Sequence, residues 1–190
     1  GYRVLASITK CLETTLKVTV NQKKTKVGSP LRLNFLGFSL GVSHQGVYAR
    51  PSRKAKQRVI KTLRQLTKRN RGRSLNVIFR EIRIKMRGWL QYYSIGKMTN
   101  FVVSLDQWLR SRIRQYIWKM WKKPKTRAKA LMKLGMLHNQ AWKFAETRKG
   151  YWHTAHSKTL TYTITNKRLE HRGLINLSQT LQSIESKRNA

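Results

Sequence analysis

Residues 50–73 carry the pattern that most constrains this chain. The segment RPSRKAKQRVIKTLRQLTKRNRGR contains eleven Lys or Arg and no Asp or Glu. Ala55, Val59 and Leu63 recur at helical spacing, so we expect a helix that packs by one apolar face and exposes cations on the others. Like charges three or four residues apart destabilise a helix by about 0.2–0.5 kcal/mol per pair. The alternative, a solvated charged face, normally mixes both signs, so this helix better fits a surface that meets a polyanion.

The charge of the whole chain agrees with that segment. Lys and Arg number 42 against 6 Asp and Glu, a net charge of +36, which indicates a nucleic-acid partner. Apolar residues make up 39% of the chain, so it can build a core and is not a disordered basic tail. No apolar run approaches the about 18 residues that span a bilayer, and we expect no membrane partner. The single cysteine, Cys11, excludes a disulfide within the chain and fits a reducing compartment.

The first fifty residues predict a small α/β part. Helical spacing of apolar residues predicts a helix over 2–16. Alternating and β-branched residues predict short strands at 17–20 and 25–27, a buried strand over 33–40, and a partner strand or hairpin over 42–48 that turns around His44 to Gly46. This part is too small to be a convincing domain alone.

Three helices are expected next. The first is the basic helix, which opens at Pro51 and Ser52 and ends by Asn70 to Gly72. The second covers residues 75–93 with Ser74 as its N-cap, and the third begins near Asn100. Because their connections are short, we expect the second and third to be antiparallel neighbours in a three-helix bundle that the basic helix completes.

The remainder of the chain predicts a small, mostly helical C-terminal segment. A basic turn at residues 121–127 precedes helices expected at 128–134, 141–147 and 157–168, and only the final ESKRNA is expected to be disordered. The predicted fold class is therefore mainly α, with a small α/β part before a three-helix bundle and a mostly helical segment after it.

Acidic residues are too few to predict a catalytic metal centre. Two-metal phosphoryl chemistry needs carboxylates that hold ions about 4 Å apart, whereas Asp106 is the single Asp and the five Glu are scattered. We expect Asp106 to pair with a neighbouring Arg. His153 and His156 are three residues apart, but no cysteine accompanies them, so a surface pair near phosphate is a better interpretation than zinc.

The third helix offers a second nucleic-acid surface. Arg110, Arg114, Trp118 and Trp121 follow one another at intervals of four, four and three residues, next to Lys122 and Lys123. Such a face can hold phosphates and stack an exposed base. In the alternative, both Trp fill the core while the Arg face water. The candidate RNA-binding residues are Arg50, Arg53, Lys54, Lys56, Arg58, Lys61, Arg64, Lys68, Arg69, Arg71, Arg73, Arg110, Arg114, Lys122 and Lys123.

Five segments carry a family resemblance. They are LKVTVNQKKTKV, LNFLGF, RPSRKAKQRVIKTLRQLTKRNRGRSLNVIFREI, RGWLQYYS and LDQWLRSRIRQYIWKMW, in that order. Together they closely resemble the C-terminal half of the reverse transcriptase/maturase proteins encoded by bacterial and organellar group II introns. The RPS opening, the TKRNRGRSL junction and RGWxxYY are the most specific parts, and the similarity covers nearly the whole chain.

The resemblance implies three parts. Residues 1–48 would be the end of the polymerase palm, with Asn21 and Lys24 in the family's NxxK stretch. Residues 49–124 would be the thumb, which is also the maturase-specific domain X that binds intron RNA and helps it to reach its splicing-competent fold. Residues 125–190 would bind intron RNA or target DNA. The resemblance further implies primer contacts from Phe35, Leu36, Gly37 and Phe38.

The departures from the family limit what this chain can do alone. The catalytic YADD motif of the family has no counterpart here, and the C-terminal segment holds no Cys and His array of the HNH endonuclease kind. We therefore expect a fragment or a truncated reading frame, without a cofactor of its own. The Mg²⁺ ions would belong to the parent polymerase.

The resemblance implies an RNA-binding maturase part that assists intron folding and splicing and holds template-primer in the parent enzyme. Its expected partners are group II intron RNA, then template-primer or target DNA, in a bacterial cytoplasm or an organelle. Two rival functions remain: part of an active RNA-directed DNA polymerase completed by a missing N-terminal half, and a nonspecific basic RNA- or DNA-binding protein.

Overall fold

The computed structural model describes residues 1–68, 70 and 72–189, and it is 63% helical. The N-terminal part comprises α1 (Tyr2–Thr14), a 3-10 turn (Pro30–Arg32), β1 (Asn34–Phe35), β2 (Phe38–Ser43) and β3 (Gly46–Pro51). The bundle comprises α2 (Arg53–Leu66), α3 (Leu75–Tyr93) and α4 (Thr99–Met120). The C-terminal segment comprises α5 (Pro124–Lys133), α6 (His138–Ala145), α7 (Tyr151–Ala155), α8 (Lys158–Thr163), α9 (Asn166–His171) and α10 (Leu177–Asn189). The predicted fold class is confirmed.

The strands form one antiparallel sheet in the order β1-β2-β3. The hairpin predicted around His44 to Gly46 is confirmed, since Ser43 faces Gly46 and Phe38 faces Pro51 in the β2–β3 register. The single buried strand predicted over 33–40 is wrong. Its chain reverses at Leu36 and Gly37, where φ is +49° and +82°, so two short strands replace one.

The two strands predicted at 17–20 and 25–27 are also wrong. Neither segment forms a ladder in the described structure. Asn21 explains part of this difference, because its side-chain oxygen accepts from the Lys24 N–H at 3.1 Å and its carbonyl accepts from the Thr25 N–H at 3.0 Å. A side chain that satisfies nearby backbone donors competes with strand pairing.

The helix starts of the bundle follow from side-chain caps. The Ser52 hydroxyl accepts from the Ala55 N–H at 3.2 Å, and the Ser74 hydroxyl accepts from the Val77 N–H at 3.5 Å. Each satisfies a donor that the first helical turn leaves open. The bounds predicted for the second helix are confirmed, whereas α2 ends at Leu66, before the predicted Asn70 to Gly72.

The C-terminal segment packs against the bundle. Leu160, Leu169 and Leu177 are buried in the same apolar cluster as Leu105 and Leu109 of α4, and α10 packs on α3 and α4. The predicted domain divisions after residues 48 and 124 stay predictions.

Two local predictions for the C-terminal segment are wrong. The helix predicted over 157–168 divides into α8 and α9, because Ile164 leaves the helical conformation and the Thr165 hydroxyl caps α9 by accepting from the Arg168 N–H at 3.2 Å. Helix α10 also continues through most of the expected disordered tail.

Candidate nucleic-acid interface

The outer face of α2 carries several cations and no acidic residue. Ala55, Val59 and Leu63 are buried, which turns the charged positions of the helix outward. The exposed cations on and beside α2 are Arg50, Arg53, Lys54, Arg58, Lys61, Arg64 and Lys68. The predicted amphipathic arrangement is confirmed, while RNA contact by these residues stays a prediction.

Lys56 differs from the other cations of α2. It is half-buried, and its ammonium lies 4.9 Å from the centre of the Phe101 ring. Burial lowers the pKa of Lys56, and the positive charge of Arg50 lowers it further. The ring of Phe101 offers a cation–π contact to this ammonium, so Lys56 anchors α2 to α4 at the edge of the cationic face.

A groove of about 400 Å³ separates α2 from α3. Arg58 and Lys61 line it from α2, and Lys85, Trp89 and Tyr93 line it from α3. Cations thus form its edges while two half-buried aromatic rings, 4.7 Å apart at their centres, form part of its wall. The combination can hold a phosphate and stack an unpaired base.

The phenol of Tyr93 has a perturbed acidity. Burial is the largest cause that raises the pKa of Tyr93, and neighbouring Tyr92 raises it further, while the positive charge of Arg58 acts in the opposite direction. The hydroxyl therefore stays protonated and able to donate a hydrogen bond above the ordinary phenol range.

The turn between β1 and β2 is docked onto the C-terminal end of α3. The Phe38 ring lies 5.0 Å from the Tyr93 ring, and the Tyr92 hydroxyl donates to the Leu36 carbonyl at 2.8 Å. The Gly37 carbonyl accepts from the N–H of Ser52, the cap of α2, at 2.8 Å. The FLGF, RPS and RGWxxYY segments, which lie apart in sequence, therefore meet at one place.

The residues with predicted primer contacts divide into two pairs. Phe35 and Leu36 are 76% and 67% exposed, so both side chains are accessible to a ligand. Phe38 is half-buried against α3, and Gly37 sits where an added Cβ would collide with the Tyr93 hydroxyl. Primer contact by all four stays a prediction, although the geometry gives Phe38 and Gly37 a structural role as well.

The expectation that Arg110 and Arg114 lie on an RNA-facing surface is corrected by the structure. They are only 3% and 5% exposed. Arg110 pairs with Asp106 at 2.5 Å and with Glu170 at 2.8 Å. Arg114 donates to the Ile164 carbonyl at 2.9 Å and to the Asn166 side chain at 2.7 Å. Both arginines therefore join α4 to the C-terminal segment, because their donors have acceptors inside the protein.

The two tryptophans predicted on that face also separate. Trp118 is buried, with 1% of its surface exposed, whereas Trp121 at the end of α4 is half-buried. Burial of Trp118 agrees with the alternative in which the tryptophans fill the core. The pairing of Asp106 with a nearby Arg is predicted from the sequence. The contacts of Arg110 with Glu170 and of Arg114 with Asn166 are not, because both partners lie on α9, more than fifty residues away in sequence.

The remaining predicted cations have different surroundings. Lys122 and Lys123 are exposed after α4. Arg73 is exposed but forms an ion pair with Glu81. Arg69 and Arg71 lie outside the described residues. Sequence reasoning missed Lys85, Trp89 and Tyr93 as binding candidates, although the one-helix-turn spacing of the last two, on a helix with a basic neighbour, was a usable signal.

The described residues form neither a metal cluster nor a membrane span. No group of three or more His, Cys, Asp or Glu side chains comes together among them. Asp106 accepts from Arg110 and from the Leu177 N–H at 3.1 Å, which does not suit it to hold Mg²⁺. The His156 ring lies 4.3 Å from the Trp152 ring, and its Nδ1 contacts the Trp152 carbonyl oxygen at 2.9 Å. Within the same residues, no helix is long and apolar enough to cross a membrane.

A comparison with protein-family models gives a match over most of the bundle. The family model for the group II intron maturase-specific domain matches residues 56–135. This stretch contains most of α2, all of α3 and α4, and α5, so it includes part of the cationic face, from Arg58 onward, and most of the α2–α3 groove. The resemblance inferred from the sequence segments is confirmed. Comparison with curated proteins gave no match.

Proposed function

We propose that this chain binds structured intron RNA and assists its folding and splicing, because residues 56–135 match the family model for the group II intron maturase-specific domain. The observation that carries the proposal is the cationic outer face of α2 beside a groove that combines cations with aromatic rings. The cations would supply most of the affinity through phosphates, and the groove would supply selectivity through shape and unpaired bases.

Helix α2 is suited to follow a phosphate backbone. Its 14 residues extend over about 20 Å at 1.5 Å per residue. Because three apolar side chains fix one face in the core, the cations on the other faces are presented without help from an RNA partner. No acidic residue interrupts the row within α2. A preformed row of this kind lowers the ordering cost of binding.

A second candidate function is to hold template-primer or target DNA in a longer polymerase. It is favoured by the exposed side chains of Phe35 and Leu36, which lie in a turn tied to the start of α2 through the hydrogen bond from Ser52 to Gly37. A duplex that followed α2 would therefore pass close to this turn. Any Mg²⁺ chemistry would belong to the polymerase half that carries the catalytic carboxylates.

Salt-dependent RNA binding tests the first proposal. We test the variant in which Arg53, Lys54 and Lys61 are all changed to Gln. Log affinity should then fall less steeply with log salt concentration, by about 0.7–0.9 in slope for each phosphate interaction that the substitutions remove. The matched control changes Lys129, Lys133 and Arg148 to Gln, which removes the same charge from exposed positions outside α2.

The same experiment separates the rival functions. Folded intron RNA and unrelated RNA of equal length are compared at physiological salt. An unchanged slope in the α2 variant would remove α2 from the interface, and equal affinity for both RNAs would favour the nonspecific basic protein. Primer extension by the chain alone would establish polymerase activity and contradict the maturase proposal as stated.

A further inference from the structure

A second cavity lies where the C-terminal segment meets the end of α4. It has a volume of about 350 Å³, within the range of about 300–1,000 Å³ that is usual for small-molecule sites. Its apolar lining comes from Ile117 and Trp121 of α4, Leu134 after α5, Ile164 after α8 and Leu169 of α9. Trp121 is half-buried, so its ring is accessible from the cavity. The other apolar lining residues are aliphatic.

The rim of this cavity is cationic. Lys167, Arg168, His171 and Arg172 line it, and each is exposed. No acidic side chain lines the cavity among the residues that the structure describes. Glu170, the acid on the same short helix, is instead directed to Arg110 and to the Asn176 side chain. The cavity therefore joins an apolar interior to a positive mouth.

Internal hydrogen bonds hold the walls in place. Arg168 donates to the Leu134 carbonyl at 2.8 Å and to the Thr163 carbonyl at 2.6 Å, which ties the end of α5 to the end of α8. The buried Arg114 holds the Ile164 carbonyl and the Asn166 side chain from α4. The Trp121 carbonyl accepts from Arg127 at 2.9 Å. A cavity braced from three elements needs little rearrangement to accept a ligand.

We propose that this cavity binds one unpaired nucleotide of an RNA strand, with its base against Trp121 and its phosphate between Lys167 and Arg172. The inference rests on the proposed RNA-binding function and adds a base-binding site outside α2. An apolar cavity with an aromatic wall suits the face of a base, and the adjacent cations suit the attached phosphate. Neither feature alone would select a nucleotide.

Binding of a single-base probe tests this assignment on the full chain. The probe is a ribose-phosphate octamer that is abasic at every position except one, which carries 2-aminopurine; the reference is the fully abasic octamer. Stacking of one base is expected to make the probe bind about 5- to 150-fold more tightly than the reference. The 2-aminopurine fluorescence should fall on binding, because the base stacks on Trp121.

Two variants locate the base. Trp121→Leu should abolish the advantage of the probe over the reference, whereas the matched control Trp152→Leu, at an exposed tryptophan of the same segment, should retain it. The pair Lys167→Gln and Arg172→Gln, at exposed positions that leave the apolar lining intact, should weaken both octamers and lower the salt slope by about 0.7 per phosphate interaction.

Three results would overturn the assignment. They are an advantage that survives Trp121→Leu, an equal affinity of wild type for the two octamers, and tighter binding of the deoxyribose form of the probe, which would assign the cavity to DNA. Failure here is distinguishable from failure of the proposed function, because binding of structured RNA through α2 is measured separately and does not require Trp121.

Discussion

Removing the buried guanidinium of Arg110 should destabilise the whole chain. Its side chain is 4% exposed and bridges two acids, Asp106 on its own helix and Glu170 on α9. The substitution Arg110→Met keeps much of the side-chain length and removes the charge. Asp106, whose side chain is 12% exposed, would then keep a charge with one remaining partner, the Leu177 N–H.

The size of the loss in unfolding free energy depends on which of the two acids can become solvated in the variant. Glu170 is 32% exposed and also accepts from Asn176, so it can be solvated at little cost. Asp106 cannot, and loss of one partner of a buried ion pair costs about 3–5 kcal/mol. We expect about 3 kcal/mol, since a single acid is stranded. At about 2–4 °C per kcal/mol for a chain of this length, the melting temperature should fall by roughly 6–12 °C.

Chemical denaturation monitored by circular dichroism measures this loss. Arg80→Met, at an exposed arginine of α3, is the matched control and should change the free energy of unfolding by no more than about 0.5 kcal/mol. The double variant Asp106→Asn with Arg110→Met should recover more than half of the loss, because Asn removes the stranded charge and still accepts from Leu177. A loss below about 1 kcal/mol for Arg110→Met, the value typical of surface pairs, would refute the reasoning.

Two further predictions concern the turn docked on α3. Gly37→Ala should lower the free energy of unfolding by about 1–2 kcal/mol, because its backbone is left-handed, and should accelerate hydrogen exchange at the Ser52 amide. Gly46→Ala, at φ +112° in open space, is the control and should leave exchange at that amide unchanged. The pKa of Tyr93 is raised above its ordinary 10.0, by burial first. Its contribution to stability should therefore be complete below pH 10 and lost as the pH rises through the folded-state value. The urea midpoint of wild type should therefore fall relative to that of Tyr93→Phe as the pH rises above 10, and a constant difference would contradict this.

Periodicity predicts the bundle well because its helices are long and two of them are capped by serine. The second helix is predicted over 75–93 and occupies Leu75–Tyr93, with Ser74 as its cap. Such a helix can be predicted from its own residues, because the apolar spacing and the capping hydroxyl are both local features of the sequence. The cationic face of α2 follows from the same spacing.

The errors arise where a distant residue decides the outcome. The sequence around Arg110 and Arg114 is compatible with an exposed basic face, and only the return of Glu170 and Asn166 to α4 gives these arginines internal partners. The strands predicted at 17–20 and 25–27 fail for a related reason. β-branched residues predict a strand only where a neighbouring strand completes the ladder.

The α2–α3 groove could not be predicted from the sequence for a different reason. Trp89 and Tyr93 fall on the apolar side of their helix by spacing, yet both are only half-buried. Periodicity distinguishes a packed side from a solvated one, but it does not show where two packed sides diverge enough to admit a ligand.

The unrelieved charge of α2 has a practical consequence for handling this protein. In the free chain, neighbouring cations repel one another along the helix, and added electrolyte screens that repulsion. The same electrolyte competes with any polyanion for those side chains. Ionic strength should therefore favour a well-folded free protein and oppose its complexes, so concentrated stocks belong in high-salt buffer and assembly is best started by dilution.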